Sequence, residues 1–318
     1  MPDPILLIQH ILPPLARLLV FISLGILIGI LIENLRWSTF MARLATPLVR
    51  IAHLQPVSGA SFAMAFFSGI TANSMLAEAF AQKKITRKEV IISNLFNSLP
   101  IYFLHLPTMA MIAGPLLKQA ALPYIGLTFG SACLRTCIMV LACRFFLPPL
   151  PEGCVTCELP PENDSGIKGI LQATWKRFLT RMKRIVIITI PIYILVYLGS
   201  DMGFFTWMEK ALSSHLHVLS WLPTEALGVV VLQVSGEFSA GAAAAGALLD
   251  NGLITVKGIV LALLVGNILS SPMRAFRYQF PYYAGIFKPG LAMNIIIASQ
   301  TLRIGSLLIV GIGYAVVG

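Results

Sequence analysis

Long apolar stretches separated by short polar interruptions dominate the pattern of this chain. Residues 18–32, 185–198 and 295–317 contain at most one charged side chain each. Each stretch spans or nearly spans the roughly 20 residues that a helix needs to cross the hydrocarbon core of a membrane. The pattern therefore predicts an all-α integral membrane protein.

The same order of predicted elements occurs twice along the chain. The first half has, in order, a span at 15–33, an amphipathic stretch at 36–53, an interrupted apolar segment at 57–82, a helix that breaks near Asn97–Pro100, a short segment at 108–117 and a closing span at 122–145. The second half has the counterparts at 183–198, 204–218, 224–250, Ser270–Pro272, 278–287 and 291–317. We therefore predict a first repeat at 1–147, a linker at 148–182 and a second repeat at 183–318.

The positions of lysine and arginine indicate how the repeats are oriented. These residues concentrate at 36–88, 168–184 and 274–288, whereas the opposite side carries only Arg17, Lys118, Lys210 and Lys257. Because basic residues favour cytoplasmic loops, the three groups are predicted to mark the cytoplasmic side.

The interrupted apolar segments are predicted to be re-entrant helical hairpins. Residues 57–82 have basic residues at both ends and are too short for two spans, so they should enter and leave from the cytoplasm. The same argument makes 224–250 a hairpin from the outside. Each repeat then has three spanning helices, one of them broken, and one hairpin, so the second repeat is inverted and both termini are periplasmic or outside. Six ordinary helices with two amphipathic linkers remain the alternative.

The interruptions are also the predicted solute-binding positions. Unpaired backbone groups are costly in hydrocarbon, so broken helices persist where they line a cavity or are buried in protein. Paired breaks in inverted repeats hold the solute of many secondary transporters near the midplane. In the first repeat the predicted binding residues are Ser68, Thr71, Asn73, Ser74, Asn97 and Ser98, with Asn94 one turn before the break. The alternatives are hydroxyls that bond to their own helix carbonyls and a simple proline kink.

The second repeat offers a matching set of polar residues. The predicted binding residues are Ser235, Glu237, Ser239, Ser270 and Ser271, with Asn267 before the break. An acidic group at membrane depth is costly and usually functional, so Glu237 is predicted to bind a sugar hydroxyl, a coupling cation or a proton. A purely structural ion pair with an arginine is the alternative.

Two arginines complete the predicted solute site. Arg135 and Arg303 occupy equivalent positions in the two closing spans. An arginine in a bilayer needs a partner or water, so both are predicted to face the interior. Structural pairing and contact with the solute are both open for them.

Composition and charge narrow the classes of function. Of the 318 residues, 57% are hydrophobic and 11% are charged, against about 25% charged residues in a typical soluble domain. The net charge of +10 follows from the predicted cytoplasmic loops, so we expect no nucleic-acid partner. We find no phosphate-binding loop, paired catalytic carboxylates or Ser–His–Asp arrangement, and expect neither an enzyme nor a cofactor. Cys154 and Cys157 form one CxxC pair, a weak metal candidate because structural zinc normally takes four ligands.

The hairpin, broken helix and closing span of each repeat resemble the nucleoside-recognition (Gate) domain. That domain occurs in concentrative nucleoside transporters, in the membrane part of B-type ferrous iron transporters and in spore maturation membrane proteins. The resemblance covers about 15–145 and 183–317 and rests on Ser68-Gly69-Ile-Thr-Ala-Asn73-Ser74, Asn97-Ser98-Leu-Pro100, Ser235-Gly236-Glu237 and Ser270-Ser271-Pro272. It implies two hairpins that meet broken helices around a solute site. The chain lacks the GTPase domain of the iron transporters and the scaffold helices with which nucleoside transporters form trimers.

These observations predict a multi-pass transporter or permease of the inner membrane for a small polar solute. The resemblance implies a nucleoside-like solute, and we expect coupling to Na⁺ or H⁺. The expected partners are this solute and the lipid bilayer, and the sequence leaves a homo-oligomer open. The alternatives are a non-transporting membrane scaffold of the spore-maturation type and a divalent metal permease.

Overall fold

A computed structural model describes residues 51–146, 222–235 and 238–317, with isolated positions within 12–27, 171–194 and 202–210. Most of the predicted span at 15–33, of both amphipathic stretches, of the linker and of the span at 183–198 lies outside these residues. The weak metal candidates Cys154 and Cys157 and the hairpin residue Glu237 lie outside them as well.

Every regular element within the described ranges is helical. In chain order they are α1 (Pro56–Ala65), α2 (Gly69–Ala81), α3 (Arg87–Phe96), α4 (Ser98–Leu117), a 3₁₀ turn (Lys118–Ala120), α5 (Ala121–Phe146), α6 (Thr224–Ser235), α7 (Phe238–Asp250), α8 (Val256–Arg274), a π-helical turn (Ala275–Gln279), α9 (Phe280–Phe287) and α10 (Pro289–Val317).

Three helical stretches in the described residues are long and apolar enough to cross a membrane. They are Arg87–Phe145, Val256–Phe287 and Pro289–Val316. The first contains α3, α4 and α5 and turns at Lys118, whose φ is +48°. Within the described residues the prediction of a helical chain with helices that could cross a membrane is confirmed, whereas the inverted repeats and their orientation stay predictions.

The chain forms two compact units, and each unit draws on both halves of the sequence. The first unit consists of residues 1–104, 136–195 and 280–298. The second consists of residues 105–135, 196–279 and 299–318. In consequence α9, from the second half of the chain, belongs to the first unit, and most of α4 belongs to the second.

In the first unit, α1 and α2 lie side by side and are joined by residues 66–68. The contact is filled by small or unbranched side chains, namely Ala60, Met64, Ala65, Ala72 and Met75. Pro56 begins α1, where its missing N–H would have no helical partner. Such small residues allow two helices to approach closely in a membrane protein.

The first interruption is shorter than the sequence predicted. The turn lies at Phe66–Ser68, and α2 begins at Gly69, so Thr71, Asn73 and Ser74 lie on a regular helix. The reason is a local cap, because the Ser68 side chain accepts from the Thr71 backbone N–H at 3.2 Å. This bond satisfies one of the donors that a helix N-terminus leaves unpaired.

A hydrogen bond connects the first turn of α3 to the residue that precedes α1. The Thr86 hydroxyl accepts from the Glu89 backbone N–H at 3.2 Å. The Glu89 carboxylate, which is buried, accepts from the Gln55 backbone N–H at 3.0 Å. In an ordinary capping box the glutamate would reach back to its own N-cap residue, and here it links two helices instead.

Of the two predicted helix breaks, only the first is present. α3 ends at Phe96 and α4 begins at Ser98, with Asn97 as the one residue between them. The predicted break at Ser270–Pro272 is wrong, because α8 continues through Pro272 to Arg274 and the departure from α-helical geometry is the π-helical turn at Ala275–Gln279. A proline inside a membrane helix is tolerated where local π adjustments and neighbouring groups satisfy the freed carbonyl.

The second unit has a larger apolar core, around α8. Its fully buried members include Leu117, Tyr124, Val229, Ile259 and Leu263. The interrupted segment of the second repeat is seen here as α6, which ends at Ser235, and α7, which begins at Phe238.

Candidate functional site

The first unit buries a group of serine and asparagine side chains between α1, α2, α3 and the start of α4. We call it the asparagine–serine cluster. Its hydrogen-bonded members are Ser58, Ser61, Asn73, Ser93, Asn94 and Asn97, and we include Ser74 and Ser98, the chain neighbours of Asn73 and Asn97, whose hydroxyl oxygens are also buried. Its described side chains are neutral, and each offers hydrogen-bond donors and acceptors.

Hydrogen bonds hold the helices of this cluster in register. Asn97 Nδ2 donates to Ser61 Oγ at 2.9 Å, and Ser61 Oγ donates to the carbonyl of Ala72 at 3.1 Å. Ser93 Oγ donates to Ser58 Oγ at 2.8 Å. The one-residue break at Asn97 therefore places its amide against α1, and α1 in turn contacts α2.

A second set of bonds centres on Asn94. Its Nδ2 donates to Asn73 Oδ1 at 2.7 Å and lies 3.4 Å from the Tyr283 hydroxyl of α9. Tyr282 also approaches the Asn73 side chain. The asparagines of α2 and α3 are thus joined directly to each other, with two tyrosines beside them.

Several atoms of the cluster are buried without a hydrogen-bond partner in the described part of the chain. They are Asn73 Nδ2, Ser74 Oγ, Asn97 Oδ1 and Ser98 Oγ. A buried polar group without a partner costs about 1–3 kcal/mol. Such a concentration is unusual unless water or a ligand completes the bonds.

Two predicted binding residues form the cap of α2. Ser68 Oγ accepts from both the backbone N–H and the hydroxyl of Thr71, the latter at 3.0 Å. Their role in solute binding stays a prediction.

The second unit contains a different polar group, on α8 and α10. Asn267 Oδ1 accepts from Arg274 Nη2 at 3.2 Å and from Arg303 Nη2 at 3.1 Å. We call these three residues the arginine–asparagine cluster. The Asn267 Nδ2 group lies 3.5 Å from the hydroxyl of Tyr124, whose ring stacks on Phe238 at a centroid distance of 5.3 Å.

The serines next to this cluster differ in their partners. Ser271 Oγ donates to Gln300 Oε1 at 2.6 Å, which links α8 to α10. Ser270 Oγ is buried and has no hydrogen-bond partner among the described residues, and the same holds for both amide atoms of Gln233. The Gln233 side chain lies directly against Gly266.

Arg135 makes its own contacts within the second unit. Its Nη1 donates to Ser131 Oγ at 3.1 Å and to Ser306 Oγ at 3.2 Å, and the two serine hydroxyls are 2.8 Å apart. Arg135 and Arg303 therefore lie in the same unit but have different partners. Arg135 donates to serine hydroxyls, whereas Arg303 donates to the amide oxygen of Asn267.

The remaining predicted positions lie near the second hairpin connection. Ser239 is half-buried in the first turn of α7. Ser235 is the last residue of α6, and Glu237 lies outside the described residues. Within the described ranges, no group of three His, Cys, Asp or Glu side chains is close enough to hold a metal ion.

The sequence interpretation missed three members of the asparagine–serine cluster. Ser58, Ser61 and Ser93 lie outside the predicted interruptions. A usable signal existed in the helical spacing, because residues three or four apart share one helix face. Ser58 and Ser61 show this spacing, as do Ser93 and Asn97 on the neighbouring helix.

Comparison with known proteins gives relatives but no name for the activity. No family model matches the chain, and no solved structure matches it. An uncharacterized protein of Methanocaldococcus jannaschii is 26% identical over 92% of each chain. A second uncharacterized protein of that organism is 24% identical over 95% of this chain and 98% of its own length. In both cases the similarity extends over nearly the whole chain.

Proposed function

We propose that the protein is a multi-pass membrane transporter for a small polar solute. In this proposal the asparagine–serine cluster forms part of the solute-binding site. The observation that carries it is the set of four buried polar atoms of that cluster that have no hydrogen-bond partner among the described residues. Such hydroxyl and amide groups are available to a hydroxylated or heterocyclic solute.

The nature of the cluster favours a solute recognised through neutral hydrogen bonds. Asparagine amides present a donor and an acceptor side by side, which suits the edge of a base or the hydroxyls of a sugar. This chemistry agrees with the nucleoside-like solute that the Gate-domain resemblance implies. We further propose the inner membrane as the location, both termini outside, and coupling to Na⁺ or H⁺.

The first test combines solute screening with uptake. The purified full chain is screened by thermal shift against uridine, adenosine, hypoxanthine and succinate, and those that stabilise it are followed as labelled solutes into proteoliposomes. We expect Ser74→Ala and Ser98→Ala to lower uptake about 2- to 10-fold, because each removes one hydrogen bond to the solute. The melting temperature of these variants should stay unchanged or rise, because the lost hydroxyl has no hydrogen-bond partner in the part of the chain that the structure describes.

A matched control separates a specific effect from general damage. Thr301→Ala removes a hydroxyl from an exposed position of α10 and should leave uptake unchanged. If the wild-type chain binds and takes up none of the screened solutes, the transporter proposal fails and a scaffold role becomes the better explanation.

A further inference from the structure

Three hydrogen bonds on successive helical turns join α3 to α1 and to the residue before it, all within the first unit. We call them the α1–α3 polar contact. The bonded atoms are Gln55 N with Glu89 Oε1 at 3.0 Å, Ser93 Oγ with Ser58 Oγ at 2.8 Å, and Asn97 Nδ2 with Ser61 Oγ at 2.9 Å. The members on each side are three or four residues apart, so each set lies along one helix face.

Glu89 is the member of this contact that can carry a charge. Its side chain is only 7% exposed, and within the described residues it forms no ion pair. A glutamine at this position could accept the same bond from the Gln55 backbone N–H. The hydrogen bond alone therefore does not require a carboxylate, and what the carboxylate adds is the ability to bind and release a proton.

The surroundings of the Glu89 carboxylate act in opposite directions on its charge. Burial disfavours the charged form, whereas nearby N–H donors favour it. The backbone N–H of Thr86 lies near the carboxylate in addition to that of Gln55, and the Cys143 thiol of α5 interacts with it electrostatically. Because no ion pair with a described residue fixes the charged form, both protonation states are accessible to this group.

Other titratable or charged side chains lie on or next to the helices around α3. They are His53, Glu78, Lys83, Lys84, Arg144, Tyr282, Tyr283 and Lys288, with Arg87 and Lys88 on α3 itself. Among these described residues none forms an ion pair with Glu89.

We infer that Glu89 binds the coupling proton of the transporter. This inference rests on the proposed function and chooses H⁺ from the two coupling ions proposed there. A proton from water adds to the carboxylate and removes the charge that strengthens its bond with the Gln55 N–H, so this end of the α1–α3 polar contact weakens. The other end is Asn97, a member of the proposed solute site, about 12 Å further along the helix axis.

Proton and solute are then expected to bind together. The polar atoms of the asparagine–serine cluster are buried while the α1–α3 polar contact is intact, so a weaker contact gives the solute access to them. Coupling between two binding sites is reciprocal, and a solute that prefers the protonated chain also makes Glu89 bind its proton more tightly. The expected mode of transport is symport of the solute with H⁺.

The test follows accumulation in proteoliposomes that contain the full chain. The probe is labelled uridine, adenosine or hypoxanthine, whichever the thermal-shift screen identifies, and potassium with valinomycin holds the membrane potential at zero. With one proton per solute molecule, an inward gradient of one pH unit should drive up to about 10-fold accumulation by the wild type. Without the gradient the solute should only equilibrate.

Variants assign this effect to Glu89. Glu89→Gln should still exchange solute but should not accumulate it, because the amide oxygen accepts the Gln55 bond and cannot be protonated in this range. Its melting temperature should stay near that of the wild type. Glu89→Asp keeps a titratable group and should recover part of the accumulation. Glu225→Gln, the same change at an exposed glutamate in the first turn of α6, should behave like the wild type.

Infrared spectroscopy supplies a second readout that does not depend on transport. As the pH is lowered through the range used for uptake, the wild type should develop the C=O band of a buried carboxylic acid. This band should be absent from Glu89→Gln and present in Glu225→Gln.

Three outcomes would overturn the inference. One is accumulation by Glu89→Gln that equals that of the wild type. The second is a Glu89→Gln variant whose melting temperature falls and whose exchange and accumulation fall in equal proportion, which would make Glu89 a structural residue. The third is accumulation driven by a sodium gradient alone, equal in both proteins, which would assign the coupling to Na⁺ at another site.

The same measurements separate this inference from the proposed function. Uptake by the wild type that does not respond to the pH gradient would leave the transporter proposal standing and remove the proton site. A wild type that takes up none of the three probes would remove the transporter proposal and, with it, the coupling. The infrared band would then show by itself whether Glu89 binds a proton.

Discussion

At the residue scale, some buried polar side chains of the first unit have one atom that is hydrogen-bonded and another that has no hydrogen-bond partner among the described residues. Asn73 accepts from Asn94 through Oδ1, while its Nδ2 has no hydrogen-bond partner within the described residues. Asn97 donates to Ser61, while its Oδ1 has none in the same ranges. One half of each amide therefore joins two helices, while the other half is buried and makes no such bond among the described residues.

The Asn73–Asn94 bond predicts a measurable coupling between α2 and α3. In a double-mutant cycle of Asn73→Ala and Asn94→Ala, we expect the two effects on the free energy of unfolding to be non-additive by about 0.6 kcal/mol, the average found for hydrogen bonds between membrane helices, and by no more than about 1.7 kcal/mol. The free energies of unfolding of the wild type, the two single variants and the double variant are measured in mixed micelles. Additive effects would show that the 2.7 Å contact contributes no net stability.

At the element scale, close helix packing in the second unit depends on glycines of α7 and α8. A Cβ atom added at Gly246 would collide with the backbone carbonyl of Leu116. One added at Gly241 would lie 2.9 Å from Gln233 Cβ. Backbone atoms cannot move aside as the end of a side chain can, so Gly246 is the more restrictive position.

We therefore expect Gly246→Ala to lower the free energy of unfolding by about 1–3 kcal/mol, the usual cost of overpacking. Gly126→Ala is the matched control, because no neighbouring atom lies within 4 Å of its added Cβ atom and alanine is the better helix former by up to about 1 kcal/mol. Thermal unfolding of the two purified variants measures the difference. Equal stability of the two variants would contradict the close contact at Leu116.

The same elements show how far sequence reasoning reaches. The interruption between α6 and α7 could be predicted because Ser235 and Gly236 stand in an apolar run, and the break at Asn97 because an amide and a nearby proline coincide. Pro272 gave a false break, since a π-helical turn after it absorbs the distortion. The contact of Gln233 with Gly266 could not be predicted, because it depends on packing between segments that are distant in sequence.

At the scale of the whole molecule, each unit contains a segment from the predicted repeat that supplies helices of the other unit. The segments predicted at 108–117 and 278–287 occupy equivalent places in the two repeats. The segment at 108–117 belongs to the unit that contains α6 and α7. Helix α9 makes up most of the segment at 278–287, and it belongs to the unit that contains α1 and α2. The pseudo-two-fold relation between the repeats and their opposite orientation stay predictions.

Water access is the property of the whole molecule that separates a transporter from a scaffold. In a background without the five native cysteines, single cysteines are introduced as Ser74→Cys and Ser270→Cys, at hydroxyls that are buried and have no hydrogen-bond partner within the described ranges. Thiols react as thiolates, which form in water and not in hydrocarbon. We expect a membrane-impermeant thiol reagent to label both positions, and saturating solute to slow the reaction.

Ile309→Cys serves as the control for this labelling. Its side chain is 58% exposed on α10, a surface that faces lipid if this helix crosses the membrane, so its thiol should stay unreactive. If Ser74→Cys and Ser270→Cys are as unreactive as Ile309→Cys from both sides of oriented vesicles, the polar clusters are dry. A dry interior cannot pass a hydrated polar solute, because each desolvated donor and acceptor would need a partner at every step. The buried polar atoms that have no hydrogen-bond partner among the described residues would then only destabilise a scaffold protein, and the transport proposal would have no physical basis.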